Sequence, residues 1–366
     1  MKKTGFFNAL FLALAAAPLL VGGVALLAFP APVYSERENR TLATLPSFTA
    51  AAWFDGSAVR ALDDYAAERF PARDLCRAVY ATGELALRRR EVHGVILGRD
   101  GSLIRRPTES DTYFLQNMRA LEKLESTLDL PLTTAVAPRR IDVRGEVLPA
   151  LYDTAREREI WSRLPEETVT FLDCTADDCW YRTDHHWTAA GAYFAYARLG
   201  GVLGYAPFPR EDFSPEIVST SFLGTSDAAA GIPGISPDTV SVWHFAGEEA
   251  YRVRRDGEPA AFTGVYDYEK LRARDCYQVF LGGNCGLSEI TRGEDDDRPV
   301  LLVVRDSFGS ALLPFLARHY RIIAVDPRYR AADFAKLAAA ADRVLVLCGM
   351  QTLTDGPFLT PLLRTI

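Results

Sequence analysis

The chain is poor in lysine, and most of its positive charge is arginine scattered along the sequence. Lysine is confined to Lys2, Lys3, Lys123, Lys270 and Lys336 in a chain of 366 residues. The net charge is -7, and no segment forms a basic stripe that would follow a phosphate backbone. We therefore expect no nucleic-acid partner. The hydrophobic content of 48% is enough to build a large core.

The sequence also has no Cys-x-x-Cys pair, which argues against a structural zinc site. Its six cysteines fit an oxidising compartment. Cys174 and Cys179 are close enough in sequence to form a disulfide, as are Cys276 and Cys285, and free buried thiols are the alternative. No repeat or low-complexity segment occurs, and nothing in the sequence indicates a cofactor.

The N-terminal segment is apolar and uncharged between Lys3 and Glu36. A hydrocarbon core of about 30 Å needs roughly 20 apolar residues of helix, and residues 6–29 have that length. Because Lys2 and Lys3 precede this stretch, the positive-inside rule predicts that the chain from about residue 35 lies outside the cytoplasm. We interpret 1–34 as a cytoplasmic stub and single-pass membrane anchor. A cleaved signal, leaving a secreted protein, is the alternative.

The rest of the chain divides into a linker with helices over 35–90 and a larger domain over 91–366. In the larger domain, short apolar runs alternate with helical periodicity, which favours an α/β fold with a parallel sheet covered by helices on both faces. Residues 206–265 are rich in Gly, Pro and Ser and are predicted to form an irregular insertion. The predicted strands are 92–97, 102–104, 132–137, 168–172, 277–281, 299–304, 321–325 and 343–347.

Ser307 follows one of these apolar strands and precedes a predicted helix. In open parallel sheets, ligands bind at the carboxyl ends of the strands. The N-terminus of the following helix would also offer N–H groups to a developing oxyanion. These features make Ser307 a candidate nucleophile, although a simple helix cap is the more common role of a serine taken alone at such a position.

Asp184 and His186 supply the other groups that a serine nucleophile requires. The hydroxyl needs an imidazole base, and the imidazole needs a carboxylate to fix its tautomer. Residues two apart in an extended segment share a side, so Asp184 and His186 would face one pocket while His185 points elsewhere. A metal site, or a purely structural run, is the alternative.

Gly283 and Asn284 are candidates for an oxyanion site. Glycine lets a backbone approach a substrate closely, and an asparagine amide can donate to an acyl oxygen. A plain turn is the alternative interpretation of the Gly-Gly-Asn run.

The runs Asp184-His185-His186-Trp187, Gly282-Gly283-Asn284 and Asp306-Ser307-Phe308 resemble the DHHW protein family. That family is similar to the SGNH hydrolase-like domains of the periplasmic alginate O-acetylation proteins. The resemblance extends through Ser35-Glu36-Arg37-Glu38-Asn39-Arg40, Phe70-Pro71-Ala72-Arg73, Pro314-Phe315-Leu316, His319-Tyr320 and Asp326-Pro327-Arg328-Tyr329.

The resemblance implies a flavodoxin-like, SGNH hydrolase-type fold in which Asp-x-His precedes the serine. It implies Ser307, His186 and Asp184 as a catalytic triad, with Gly283 and Asn284 as the oxyanion pair.

The implied function is that of an extracytoplasmic, serine-dependent O-acetyltransferase acting on a cell-surface or exported polysaccharide. A membrane-bound O-acyltransferase partner would supply the acetyl groups. A carbohydrate acetylesterase with the same triad is one alternative. A non-catalytic glycan-binding subunit of an acetylation or export complex is the other.

Overall fold

A computed structural model gives the structure of residues 2–29, 32–35, 40–107, 110–150, 152–165, 169–330 and 333–365. Residues 36–39 of the linker motif, Glu36-Arg37-Glu38-Asn39, lie outside the described residues. By its internal contacts the chain forms two units. One comprises the residues up to Arg89 together with Gly231–Pro233, and the other comprises Arg90–Ala230 and Gly234–Ile366.

The first unit is mainly helical. Its helices are α1 (Lys2–Ala28), α2 (Ala50–Phe54), α3 (Ser57–Arg69) and α4 (Arg73–Ala86), and its strands β1 (Tyr34–Ser35) and β2 (Arg40–Thr41) pair antiparallel. The break between α3 and α4 falls at Phe70-Pro71, since a proline disfavours helical conformation in the preceding residue. In the described part of the chain, no helix combines the length and hydropathy of a membrane span. The anchor predicted for 1–34 is therefore not supported.

The second unit has helices on both faces of a large sheet. Its helices are α5 (Asp111–Thr127), α6 (Arg140–Val143), α7 (Ala155–Trp161), α8 (Ala189–Leu203), α9 (Thr225–Ala230), α10 (Gly309–Leu316), α11 (Phe334–Ala339) and α12 (Met350–Asp355). Its strands are β3 (Glu91–Val92), β4 (Val95–Leu97), β5 (Leu103–Arg105), β6 (Leu132–Ala137), β7 (Val169–Phe171), β8 (Phe213–Phe222), β9 (Asp238–Phe245), β10 (Tyr251–Arg255), β11 (Phe262–Thr263), β12 (Leu287–Arg292), β13 (Val300–Arg305), β14 (Arg321–Val325) and β15 (Arg343–Gly349).

The large sheet has the strand order β11-β10-β12-β14-β13-β15-β6-β7. Strands β14, β13, β15, β6 and β7 are parallel, as predicted, whereas β12, β10 and β11 add an antiparallel edge. The sheet is therefore mixed and not purely parallel. Numbered along the chain, the parallel strands run 2-1-5-3-4, which differs from the flavodoxin order 2-1-3-4-5 because the last strand, β15, lies between β13 and β6.

The composition of the segment 206–265 suggested an irregular insertion, but the segment has regular secondary structure. It contains a long antiparallel ribbon of β8 and β9 with register shifts near Ser219, the helix α9, and the two outer strands of the large sheet. Strand β10 alternates buried and exposed residues along Tyr251-Arg-Val-Arg-Arg. An antiparallel strand with one solvated face alternates in this way, so β10 has no continuous apolar run in the sequence.

Residues 277–281 were predicted to form a strand. They form a 3-10 turn over Cys276–Val279 followed by an isolated bridge between Tyr266 and Phe280, and not a strand. The apolar residues of this run are buried although they do not belong to a strand. Sequence periodicity does not distinguish such a buried turn from a short buried strand.

The core lies on both faces of β13. Leu301 and Val303 pack with α8 and α10 on one face, whereas Leu302 and Val304 pack with α5, α11 and α12 on the other. All four side chains are fully buried. Successive strand residues point to opposite faces, so a strand covered on both sides must be apolar throughout. This packing fixes the carboxyl end of β13, where Ser307 follows.

Candidate active site

Ser307 occupies the turn between β13 and α10. The neighbouring Asp306 is buried, and its Oδ1 accepts a hydrogen bond from the Phe308 N–H at 2.9 Å. Its Oδ2 accepts from the Gly349 N–H at 2.7 Å and from the Thr352 hydroxyl at 2.6 Å. Asp306 therefore ties the serine turn to the end of the adjacent strand β15.

The segment with Asp184 and His186 is a narrow loop closed by backbone contacts. Trp180 and Trp187 form an antiparallel bridge, and the Tyr181 N–H donates to the His186 carbonyl at 3.3 Å. The loop begins beside the disulfide between Cys174 and Cys179, one of the two pairings that the sequence suggested. Cys276 and Cys285, the other suggested pair, are free.

Strand β9 holds the same loop from the other side. Asp238 at its start accepts from the N–H groups of Arg182 and Thr183 at 3.0 and 2.7 Å, and from the Thr183 hydroxyl at 2.7 Å. The Thr183 hydroxyl oxygen in turn accepts from the Gly224 N–H at 3.1 Å. The β8–β9 ribbon therefore takes part in positioning the site.

Ser307, His186 and Asp184 form a continuous hydrogen-bonded chain. His186 Nε2 lies 2.7 Å from Ser307 Oγ, and His186 Nδ1 lies 2.5 Å from Asp184 Oδ1. Both His186 and Asp184 are buried. Burial opposes ionisation of Asp184, but the charges of the His186 and His185 imidazoles and the hydrogen bonds to the carboxylate outweigh it and lower the pKa of Asp184. The carboxyl group is thus ionised at neutral pH, and can hold the Nδ1–H tautomer of His186.

Gly224 and Thr225 complete the surroundings of Asp184, and sequence reasoning missed both. Asp184 Oδ2 accepts from the Thr225 N–H at 2.7 Å and from its hydroxyl at 2.9 Å. A Cβ atom on Gly224 would lie 2.3 Å from the Asp184 Cβ, so only glycine fits there. The local Gly-Thr-Ser-Asp run signals a helix start, but its approach to Asp184 depends on the long-range fold.

Tyr277 and Phe308 pack around the imidazole of His186. The Tyr277 ring stacks on it with centroids 4.1 Å apart and planes within 8°, and the Tyr277 hydroxyl donates to the Ser307 carbonyl at 3.3 Å. The Phe308 ring contacts it at 5.2 Å. These aromatic rings restrict the imidazole to the plane that joins Ser307 and Asp184. Nothing in the sequence distinguished Tyr277 from other core tyrosines.

His185 does not point away from the site, as its position in an extended segment would require. Its ring centroid is 3.8 Å from that of His186, and its Nδ1 lies 2.7 Å from Thr225 Oγ1. Residues 182–186 are a series of bends and not a strand, so the two-residue alternation does not apply. Burial and the neighbouring charge of His186 lower the pKa of His185 to about 3, which keeps its imidazole neutral.

The predicted oxyanion residues have other contacts in the structure. The Gly283 N–H donates to the Phe280 carbonyl at 3.2 Å. The exposed Asn284 side chain makes long contacts with Tyr329 at 3.4 Å and Arg305 at 3.5 Å. Within the described residues, no hydrogen bond joins Asn284 to Ser307 or His186. The backbone N–H of Ser307, by contrast, has no partner among the described residues.

Asp184, His185 and His186 are also the potential metal ligands, with donor atoms within 4.8 Å of one another. However, both nitrogens of His186 and both oxygens of Asp184 already take part in hydrogen bonds. A metal ion would have to break the chain to Ser307, so the donor set does not fit an ion in this arrangement.

The second unit thus has an α/β fold with a mixed sheet, and the serine turn lies at the carboxyl end of β13. Residues 172–325 match the family model of the DHHW proteins. Residues 103–230 match the SGNH hydrolase-like domain described as acetyltransferase AlgX. The resemblance to the DHHW family that the sequence motifs indicated is thus confirmed.

The solved structures that are similar to this chain include a DHHW family protein and PatB1. A DHHW family protein from Eubacterium siraeum has a TM-score of 0.59 and 19% identity, and the match covers 75% of this chain and 97% of that one. PatB1 of Bacillus cereus, solved with a sulfonyl adduct, has a TM-score of 0.56 and 17% identity, with coverage of 72% and 98%. At these identities the likeness concerns the fold. No curated protein matches the chain.

Proposed function

We propose that the chain is a serine-dependent O-acetyltransferase that acylates a polysaccharide outside the cytoplasm. The observation that carries this proposal is the hydrogen-bonded chain from Ser307 Oγ through His186 to Asp184. A serine hydroxyl, an imidazole and a buried carboxylate in this order are the groups that acyl transfer through a covalent intermediate requires.

In the first half-reaction, Ser307 Oγ attacks the carbonyl carbon of an acyl ester while His186 Nε2 takes the hydroxyl proton. The tetrahedral intermediate collapses, its ester C–O bond breaks, and His186 returns the proton to the leaving alkoxide. The result is an acyl-serine and a free alcohol. The ionised Asp184 stabilises the imidazolium that forms transiently on His186.

In the second half-reaction, an acceptor hydroxyl replaces the departed alcohol. His186 Nε2 takes its proton, the acceptor oxygen forms the new ester bond, and the bond to Ser307 Oγ breaks as the proton returns to it. The proton count of the enzyme is unchanged over the cycle. A carbohydrate acetylesterase would follow the same steps with water as the acceptor.

The unpartnered N–H of Ser307 supports a role as one oxyanion donor, since it belongs to the residue that becomes acylated. Asn284 is the second proposed donor, because its present side-chain contacts are long and its amide is exposed. Gly283, with φ of 89°, shapes the turn that carries Asn284, while its own N–H is occupied by Phe280.

Three observations support the choice of acyl group, acceptor and compartment. The match to the domain described as acetyltransferase AlgX supports acetyl as the acyl group. The family resemblance supports a polysaccharide acceptor and a membrane-bound O-acyltransferase partner. The Cys174–Cys179 disulfide supports an oxidising, extracytoplasmic compartment, in agreement with the lysines before the apolar N-terminal stretch.

The test uses the full-length protein with p-nitrophenyl acetate as the acyl donor. We expect a burst of p-nitrophenolate, covalent modification of Ser307 by a sulfonyl fluoride, and loss of both in Ser307→Ala. Ser214→Ala, at an exposed serine on β8, is the matched control and should behave as wild type. Adding oligosaccharides separates the transferase, which forms acetylated sugar, from the esterase, which forms only acetate. A wild-type protein without burst or labelling would leave only the non-catalytic glycan-binding alternative.

A further inference from the structure

His185 is the one residue of the Asp-His-His run that the triad does not use, yet it is linked to Asp184 through Thr225. Its Nδ1 lies 2.7 Å from the hydroxyl oxygen of Thr225, which itself lies 2.9 Å from Asp184 Oδ2. Asp184 is therefore the start of two hydrogen-bonded chains. One leads through His186 to Ser307, and the other, here called the second branch, leads through Thr225 to His185.

The direction of the protons in this branch follows from the chemistry of its members. An ionised carboxylate only accepts hydrogen bonds, so the Thr225 hydroxyl donates its single proton to Asp184 Oδ2. The Thr225 oxygen can then only accept from His185 Nδ1. A neutral imidazole carries one proton, and with that proton on Nδ1 the Nε2 atom has a free lone pair. The opposite tautomer would direct the Thr225 lone pairs at the carboxylate, which is repulsive.

His185 Nε2 is also open to a ligand. It has no hydrogen-bond partner among the described residues, and the side chain is 27% exposed. His185 lines a small cavity of about 30 Å³ next to the triad, together with Arg105, Arg140, Ser226 and Phe308. A water molecule needs roughly 10–15 Å³, so a polar group larger than one water fits there.

Two residues that line the cavity also have polar side-chain atoms without a hydrogen-bond partner among the described residues. Arg140 Nε and Ser226 Oγ are buried and have no hydrogen-bond partner in the described part of the chain. Arg140 is otherwise engaged, donating to the Tyr181 carbonyl at 2.6 Å and to Asp100 at 2.9 Å. Buried polar atoms are normally hydrogen-bonded, so the wall of the cavity beside His185 is polar and its hydrogen bonding is incomplete.

We propose that His185 is an acceptor-binding residue whose Nε2 accepts a hydrogen bond from the sugar hydroxyl next to the one that is acylated. This inference rests on the proposed transferase function. The imidazole rings of His185 and His186 have centroids 3.8 Å apart, a spacing that would let the two rings bind the neighbouring oxygens of a vicinal diol. His186 would deprotonate one hydroxyl while His185 binds its neighbour. Water has no second hydroxyl, so this contact would favour a sugar acceptor over hydrolysis.

The test compares two simple acceptors, trans-1,2-cyclohexanediol and cyclohexanol, with p-nitrophenyl acetate as the acyl donor. We expect the wild type to transfer acetyl to the diol about 2–12-fold better than the one additional hydroxyl would give statistically, the range that one net hydrogen bond corresponds to. His185→Ala should lose this preference, which is the ratio of the two transfer rates within one variant and therefore does not depend on how fast that variant forms the acyl-enzyme. His185→Gln, whose amide oxygen can accept in place of Nε2, should restore part of it.

The control is His244→Ala, which removes a histidine that pairs with Glu216 and Glu248 on the β8–β9 ribbon. It should keep the diol preference. A His185→Ala protein with an unchanged preference, or a wild type without one, would overturn the inference while leaving the proposed transferase function intact. Absence of the burst in the wild type would instead refute the proposed function.

An independent measurement is the tautomer of His185 by ¹⁵N NMR of the labelled protein. We expect the proton on Nδ1 and a free Nε2. A proton on Nε2 would overturn the inference whatever the acceptor assay gives, because the atom would then donate and could not accept.

Discussion

Gly224 lies so close to Asp184 that a single added methyl group would displace the carboxylate. An alanine Cβ at this position would be 2.3 Å from Asp184 Cβ and 2.4 Å from Oδ2. Carbon atoms in contact are about 3.5 Å apart, so the two groups must separate by at least about 1.2 Å. Thr225 is the next residue in the chain, and its N–H donates to the same carboxylate, so this hydrogen bond would be disturbed as well.

We therefore expect Gly224→Ala to lower kcat/KM for p-nitrophenyl acetate by about 100-fold, since a displacement of about 1 Å in a catalytic constellation has that effect. The loss corresponds to about 2.7 kcal/mol in the activation free energy. The variant should also lose about 1–3 kcal/mol of stability from overpacking, seen as a lower midpoint in urea denaturation.

Gly201→Ala is the matched control. Gly201 lies in α8 with open space around it, and alanine favours a helix over glycine by about 0.5–1 kcal/mol. This variant should be as active as the wild type and equally or more stable. Full activity in Gly224→Ala would refute this prediction. It would mean that the backbone at Gly224 does not pack against the Asp184 side chain as closely as in the structure.

Further predictions concern Asp184 and the disulfide. Asp184→Asn should lower kcat for p-nitrophenyl acetate by on the order of 10⁴-fold, because the amide favours the wrong tautomer of His186; a loss below tenfold would contradict the role of the carboxylate. Because the folded pKa of Asp184 is lowered, its contribution to stability is present above the unfolded value of about 3.9 and is lost as the pH falls toward the folded value. The difference in Tm between wild type and Asp184→Asn should then shrink between pH 6 and pH 3, and a difference that grows would contradict the sign. Replacing Cys174 and Cys179 by serine should remove about 2 kcal/mol of stability, the loop-closure value for a separation of 5 residues. A reductant should lower the denaturation midpoint of the wild type but not of the double variant.

Some of this molecule is determined by local sequence. Strands β6, β13, β14 and β15 are nearly continuous apolar runs, and a strand buried on both faces can have no other composition. The serine turn follows from the same pattern, since the apolar run stops at Arg305 and a helix begins at Gly309. The residue types of a serine, an imidazole and a carboxylate are also visible in the sequence, because the chemistry that joins them requires those groups.

The tertiary structure alone decided what surrounds these groups. Gly224 and Thr225, at the start of α9, reach Asp184 from about 40 residues further along the chain. Tyr277 stacks on His186 from a turn that sequence periodicity misread as a strand. The antiparallel edge of the sheet and the position of His185 beside His186 were likewise not predicted. Sequence periodicity reports which side of an element is buried, and it carries no information about which distant element covers that side. The contact with Thr225, which sets the tautomer of His185, is of that second kind.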